Sequence, residues 1–183
     1  MIKRTTSFES NCKLENNPVA IAFAKEVISK RYPGCRIEKV EDRERQLLGI
    51  DYIVHTPNGP INIDVKIRKG CESYWGCGQD VLIETRQGKS DVGWGTNPDL
   101  KTDFVLYLFP WGDKRRYKRA GWATSLWLPH DYIQRLCATN HGLSESRRGW
   151  NGYAYSYCIS PTLQQLGKFW DSMDYRLPHC SYL

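Results

Sequence analysis

The sequence predicts an α/β domain with a mixed central β-sheet flanked by helices. Three stretches carry that expectation. Gly49 to Arg68 reads as a β-hairpin, Asn17 to Arg31 as an amphipathic helix, and Asp103 to Phe109 as a buried strand. The 183 residues suit a single domain with its own core. We expect that core at about 17–128, with further helices and a strand over 129–183.

In chain order, residues 1–16 are polar and read as irregular or a short helix, with Ser7 as the cap of a short turn holding Phe8 and Glu9. Asn17-Pro18 then opens a helix, with Asn as cap and Pro in the first turn. Ala20, Phe23, Ala24, Val27 and Ile28 recur at helical spacing, and Tyr32-Pro33-Gly34 ends the helix. Arg36 to Glu41 is a loose first strand, and Asp42 to Gln46 reads as a charged turn. The hairpin follows. Lys69 to Asp80 reads as a loop, Val81 to Thr85 as a short strand, and Gln87 to Thr102 as a second loop. Trp94 in that loop has core packing or base stacking as its two fates.

Asp103 to Phe109 is nearly all apolar and fits a central strand buried on both faces. Ala120 to Leu128 returns beside it, and Pro129 opens a helix bearing Tyr132, Ile133, Leu136 and Cys137. Residues 143–158 are expected to form one more strand, and Ser160-Pro161 to cap a last helix.

The hairpin carries the chemistry. Ile61, Ile63, Val65 and Ile67 alternate with Asn62, Asp64, Lys66 and Arg68, so one face is apolar and the other polar. Pro57-Asn58-Gly59-Pro60 is the turn signal. Pairing the arms symmetrically about Asn58 and Gly59 sets Asp51 opposite Lys66 and Ile53 opposite Asp64. Asp51, Asp64 and Lys66 then share one face, with the two acids diagonal neighbours about 7–8 Å apart at the backbone. A one-residue slip would separate them.

Two converging carboxylates suit a hard divalent ion such as Mg²⁺. Asp51 and Asp64, with the Val65 carbonyl, are the candidate metal ligands, and Lys66 is placed to orient water or stabilise developing charge. A solvated polar strand face is the bland alternative for the same residues.

Asp51, twelve intervening residues, then Asp64-Val65-Lys66 resembles the PD-(D/E)XK nuclease superfamily, the restriction-endonuclease-like fold. The resemblance covers about residues 17–110. Ile50 stands where many members have Pro. It implies a restriction-endonuclease-like core, Mg²⁺ dependence with Mn²⁺ as a substitute, and cleavage of nucleic acid, here DNA. It also implies an extra acid on the upstream helix, a position that Glu26 matches; pairing of Glu26 with Lys30 at i+4 is the alternative. Glu41, Glu44 and Glu84 are reserves for that role.

Lys plus Arg is 26 against 20 acids, a net charge of +6, which favours a polyanionic partner. Lys114, Arg115, Arg116, Lys118 and Arg119 put five positive charges in six residues around Tyr117. With Arg68, Lys69, Arg147 and Arg148 they are the candidate phosphate contacts. Seven cysteines and no leader suggest reduced thiols and a cytoplasmic protein. Without a C-x-x-C pair, a zinc site through residues such as Cys71, Cys77 and Cys180 is a weak expectation. The longest apolar run, Phe104 to Trp111, is far short of a membrane span. A homodimer would bring two sites to the two strands of a duplex. The expectation is thus a Mg²⁺-dependent DNA endonuclease with Asp51, Asp64, Lys66 and Glu26 in its site. The alternative is a non-catalytic nucleic-acid- or protein-binding module, such as an inhibitor, on the same fold.

Overall fold

The structure is a computed structural model of the chain. It describes residues 17–67, 81–87, 92–110, 122–139, 143, 145–150, 155–159 and 166. Helix α1 spans Pro18–Arg31. The Asn17 side chain accepts from the Val19 amide at 2.9 Å, satisfying one of the free donors at the helix start. Strand β1 spans Arg36–Lys39, and a short helix α2 spans Arg43–Leu47. The expected charged turn at 42–46 is therefore helical. Asp42 caps it by accepting from the Glu44 amide, a local signal that outweighs the absence of an apolar stripe.

Strands β2 (Tyr52–Thr56) and β3 (Gly59–Ile67) form the hairpin. Next come β4 (Ile83–Gln87), β5 (Phe104–Pro110) and β6 (Trp122–Pro129). Helix α3 spans His130–Thr139, and β7 (Ser146–Trp150) and β8 (Tyr155–Ile159) follow. The expected single strand over 143–158 is thus two strands. Residues 1–16, the loop at 69–80, the basic stretch 114–119 and most of the last helix lie outside the described residues.

The main sheet has the order β1-β2-β3-β5-β6. Neighbours are antiparallel except β3 and β5, which run parallel from Ile63↔Phe104 to Ile67↔Leu108. A parallel step needs a long crossover, and here β4 lies within it. Strand β4 joins a second sheet of order β4-β8-β7.

The two faces of the main sheet bury different cores. Ala24, Val27 and Ile28 of α1 pack on Tyr52, Val54, Ile63, Val65, Leu106 and Leu108. On the other face Val105, Tyr107 and Leu128 pack against Tyr132, Ile133 and Leu136 of α3 and Val81 and Ile83 beside the second sheet. Strand β5 feeds both layers, which explains its continuous apolar run. Asp64 and Lys66 pair with Val105 and Tyr107, so alternation puts them on the α3 face.

Candidate active site

The hairpin turn is centred one position earlier than the symmetrical pairing supposed. Thr56 pairs with Gly59, leaving Pro57 and Asn58 as the turn, and Gly59 takes a φ of 116°. The ladder ends at Tyr52↔Ile63, so every pairing is displaced by two residues from the expected register. An even displacement keeps each side chain on its face. It moves Asp51 away from Lys66 and next to Asp64.

Asp51 lies just before β2, delivered by a turn at Gly49 with φ 75°. That turn is tied to the chain entering β5. The Thr102 hydroxyl donates to the Gly49 carbonyl at 2.6 Å, and the Lys101 amide to the Leu48 carbonyl at 2.9 Å. A Cβ on Gly49 would stand 2.5 Å from Thr102 Oγ1. The Asp51 amide donates to the Ile63 carbonyl at 2.9 Å, and the Asp51 carbonyl accepts from the Val40 amide at 2.8 Å. Strand β3 and the chain leaving β1 thus fix the Asp51 backbone.

Its side chain is fixed too. Asp51 Oδ2 accepts from the Val65 amide at 2.8 Å, and its carboxyl lies near enough to Asp64 to feel that charge. Val65 therefore contributes its N–H to the site, whereas the sequence suggested its carbonyl. Asp64 is only 3% exposed. Its Oδ1 accepts from Lys66 Nζ at 2.7 Å. Burial, and then the Asp64 charge, push the Asp51 carboxyl up to about 7, against the opposing pull of Lys66 and the Val65 amide.

Lys66 Nζ also lies 5.6 Å from the centre of the Trp94 ring. Trp94 packs against the α3-face core and leans on Tyr107 with ring centres 6.3 Å apart. Core packing is thus the fate of this Trp. His130 is 5% exposed at the start of α3. Burial holds its imidazole below the usual value, while the Trp94 backbone and the Asp64 charge pull the other way. Its Nε2 has no hydrogen-bond partner among the described residues. Only tertiary structure brings His130 towards Asp64, so no local signal could have found it.

The other candidate residues are placed elsewhere. Glu26 is exposed on α1 and pairs with Lys30 at 2.8 Å. Helix α1 covers the sheet face opposite Asp64, so the structure does not bring Glu26 to the pair. Glu41 and Glu44 are exposed beside α2, and Glu84 lies on β4. Arg147 and Arg148 lie on β7, in register with Tyr157 and Ser156. Arg68, Lys69, Lys114, Arg115, Arg116, Lys118 and Arg119 lie outside the described residues.

The donor set fits a hard divalent ion. Asp51 and Asp64 offer carboxylate oxygens, and a divalent ion held by them would offset the burial and the Asp64 charge that raise Asp51. Among the described residues no third His, Cys, Asp or Glu joins them. Mg²⁺ commonly takes one or two carboxylates and keeps water and substrate oxygens in its other positions. Cys35 and Cys137 are free thiols, and Cys71, Cys77 and Cys180 lie outside the described residues. Among the described residues no helix is long and apolar enough to cross a membrane.

Comparison with protein-family models, curated proteins and solved structures finds no match to this chain. The geometry and the motif therefore carry the functional reading.

Proposed function

We propose that this chain is a Mg²⁺-dependent endonuclease that hydrolyses phosphodiester bonds in DNA. It would use a restriction-endonuclease-like core, which the Asp51 and Asp64-Val65-Lys66 spacing resembles. One observation carries the reading: the carboxyls of Asp51 and Asp64 meet on one sheet face, with the Lys66 ammonium bonded to Asp64.

Asp51 and Asp64 would hold the divalent ion, Mg²⁺ or Mn²⁺. Such an ion, when bound, lowers the pKa of water and neutralises phosphate charge in the transition state. The Val65 amide keeps Asp51 from turning away. Lys66 is a donor only, and its ammonium would orient the attacking water or meet a phosphate oxygen. Burial of Asp64 keeps bulk water from screening these charges. The basic clusters singled out in the sequence would grip the DNA backbone, making binding salt-dependent.

The test offers linear, supercoiled and branched DNA, and single-stranded RNA, to the purified chain with Mg²⁺, Mn²⁺ or chelator. The reading expects DNA cleavage that either metal supports and chelator stops. Salt-sensitive DNA binding with no cutting under either metal would overturn it in favour of a non-catalytic binding module.

A further inference from the structure

Trp94 does more than fill the core. The segment around it is Gly93-Trp94-Gly95, and both glycines lie hard against β4. The Gly93 amide donates to the Thr85 carbonyl at 2.8 Å, and the Gly95 amide to the Glu84 carbonyl at 2.9 Å. A Cβ on Gly93 would stand 2.4 Å from the Glu84 carbonyl oxygen, and one on Gly95 2.3 Å from Ile83 Cγ2. Neither position admits a side chain without moving backbone or core. Thr96 closes the turn, its hydroxyl donating to the Thr85 carbonyl at 2.6 Å. The loop is therefore clamped to β4 on both sides of Trp94.

The clamp sets the indole between two residues that are partners across the sheet. Lys66 of β3 pairs in register with Tyr107 of β5. Trp94 leans on the Tyr107 ring at 6.3 Å and lies 5.6 Å from the Lys66 ammonium. Tyr107 is itself anchored, its hydroxyl donating to the Leu82 carbonyl just before β4. A Lys side chain has four rotatable bonds, and its ammonium is ordinarily mobile. Here it has an anion on one side, Asp64 Oδ1 at 2.7 Å, and an aromatic ring on another. The attraction between ring and cation strengthens where water is excluded, and Trp has the best ring for it.

We infer that Trp94 is a positioning residue for Lys66: its ring, held by the Gly93 and Gly95 clamp, keeps the ammonium against Asp64 in the reactive arrangement. The inference deepens the proposed cleavage activity and rests on it for its kinetic consequence. Its structural half stands without activity.

The experiment pairs a structural readout with a kinetic one. In protein carrying ¹³C-labelled lysine, the Lys66 ε-methylene resonance is identified by its loss in Lys66→Arg. The proton shift is expected upfield in wild type, because the indole lies beside it, and to return towards the random-coil position in Trp94→Leu. On the DNA substrate that wild type cuts, Trp94→Leu is expected to lower kcat roughly three- to thirtyfold with KM little changed, in line with the strength of shielded cation–π contacts. Trp94→Phe fills much of the same space with a weaker ring and is expected to fall between the two in both readouts. Thermal melts of all variants separate this from unfolding. An unshifted Lys66 resonance in wild type overturns the inference. So does a Trp94→Leu protein that cuts with wild-type kcat, which leaves the cleavage reading standing. A shifted, Trp94-dependent resonance in a wild type that cuts nothing supports the positioning and overturns the cleavage reading instead.

Discussion

Asp51 and Asp64 meet carboxyl to carboxyl at the open end of the β2–β3 hairpin, with the Val65 amide holding one oxygen of Asp51 at 2.8 Å. Asp51 therefore keeps a proton to about pH 7. A divalent ion bound between the two acids would displace that proton. Calorimetric titration of Mn²⁺ at pH 6, in buffers of different ionisation heat, is expected to show release of close to about one proton. At pH 8 the release should fall towards zero, and Asp51→Asn should abolish it at both. Apparent affinity should rise with pH and level off above about 7.

The same site gives the free protein two opposed pH dependences within the acid-to-neutral range. Asp51 has a higher pKa folded, about 7, than its ordinary value of 3.8. The folded state binds that proton more tightly, so the stability it contributes is present in acid and lost as pH rises from about 4 to 7. His130 acts in the opposite sense. Its folded value lies below 6.5, so its contribution is present above that pH and lost as pH falls through the folded value. Melting curves between about pH 4 and 7 should show Asp51→Asn removing the loss of stability as pH rises, and His130→Gln removing the loss as pH falls.

Gly49 is required twice over, by its φ of 75° and by the 2.5 Å approach to Thr102 Oγ1 that a Cβ would make. Gly49→Ala is expected to cost about 1–3 kcal/mol of stability by denaturant titration. Because that turn delivers Asp51, cleavage should fall by more than the loss of folded protein accounts for.

Glu26 is an exposed partner of Lys30 on the helix that covers the other sheet face. Glu26→Gln should change stability by no more than about 0.5 kcal/mol and leave the cleavage rate at the wild-type level. A loss comparable to that of Asp64→Asn would place Glu26 in the site after all.

Much of this was legible in the chain, for identifiable reasons. The Asn17 cap and the stripe from Ala20 to Ile28 specified α1, and the apolar run of β5 specified a strand with a core on each face. The alternation in β3 correctly grouped Asp64 and Lys66 on one face. Register was less legible, because Asn58-Gly59 and Pro57-Asn58 are both good turn centres and they differ by one position. Moving the centre by one shifts the pairing by two, which preserves the faces and changes the neighbours.

Glu26 misled because helical spacing locates a residue around the helix axis but does not reveal which sheet face the helix covers. The second sheet was hidden because β4 pairs with β8, far along the chain, and no local pattern encodes that pairing. The Trp94–Lys66 and His130–Asp64 relationships are likewise products of sheet order alone.

The most direct test of the central claim is the rate at which wild type and Asp64→Asn nick supercoiled plasmid DNA in Mn²⁺, measured on folded protein of equal purity. Wild type is expected to nick, and the variant to lose at least about a hundredfold in rate, since it removes a carboxylate charge from the buried pair and the anion that holds Lys66. Equal rates in both proteins, or no nicking by wild type in any divalent metal, would contradict the account.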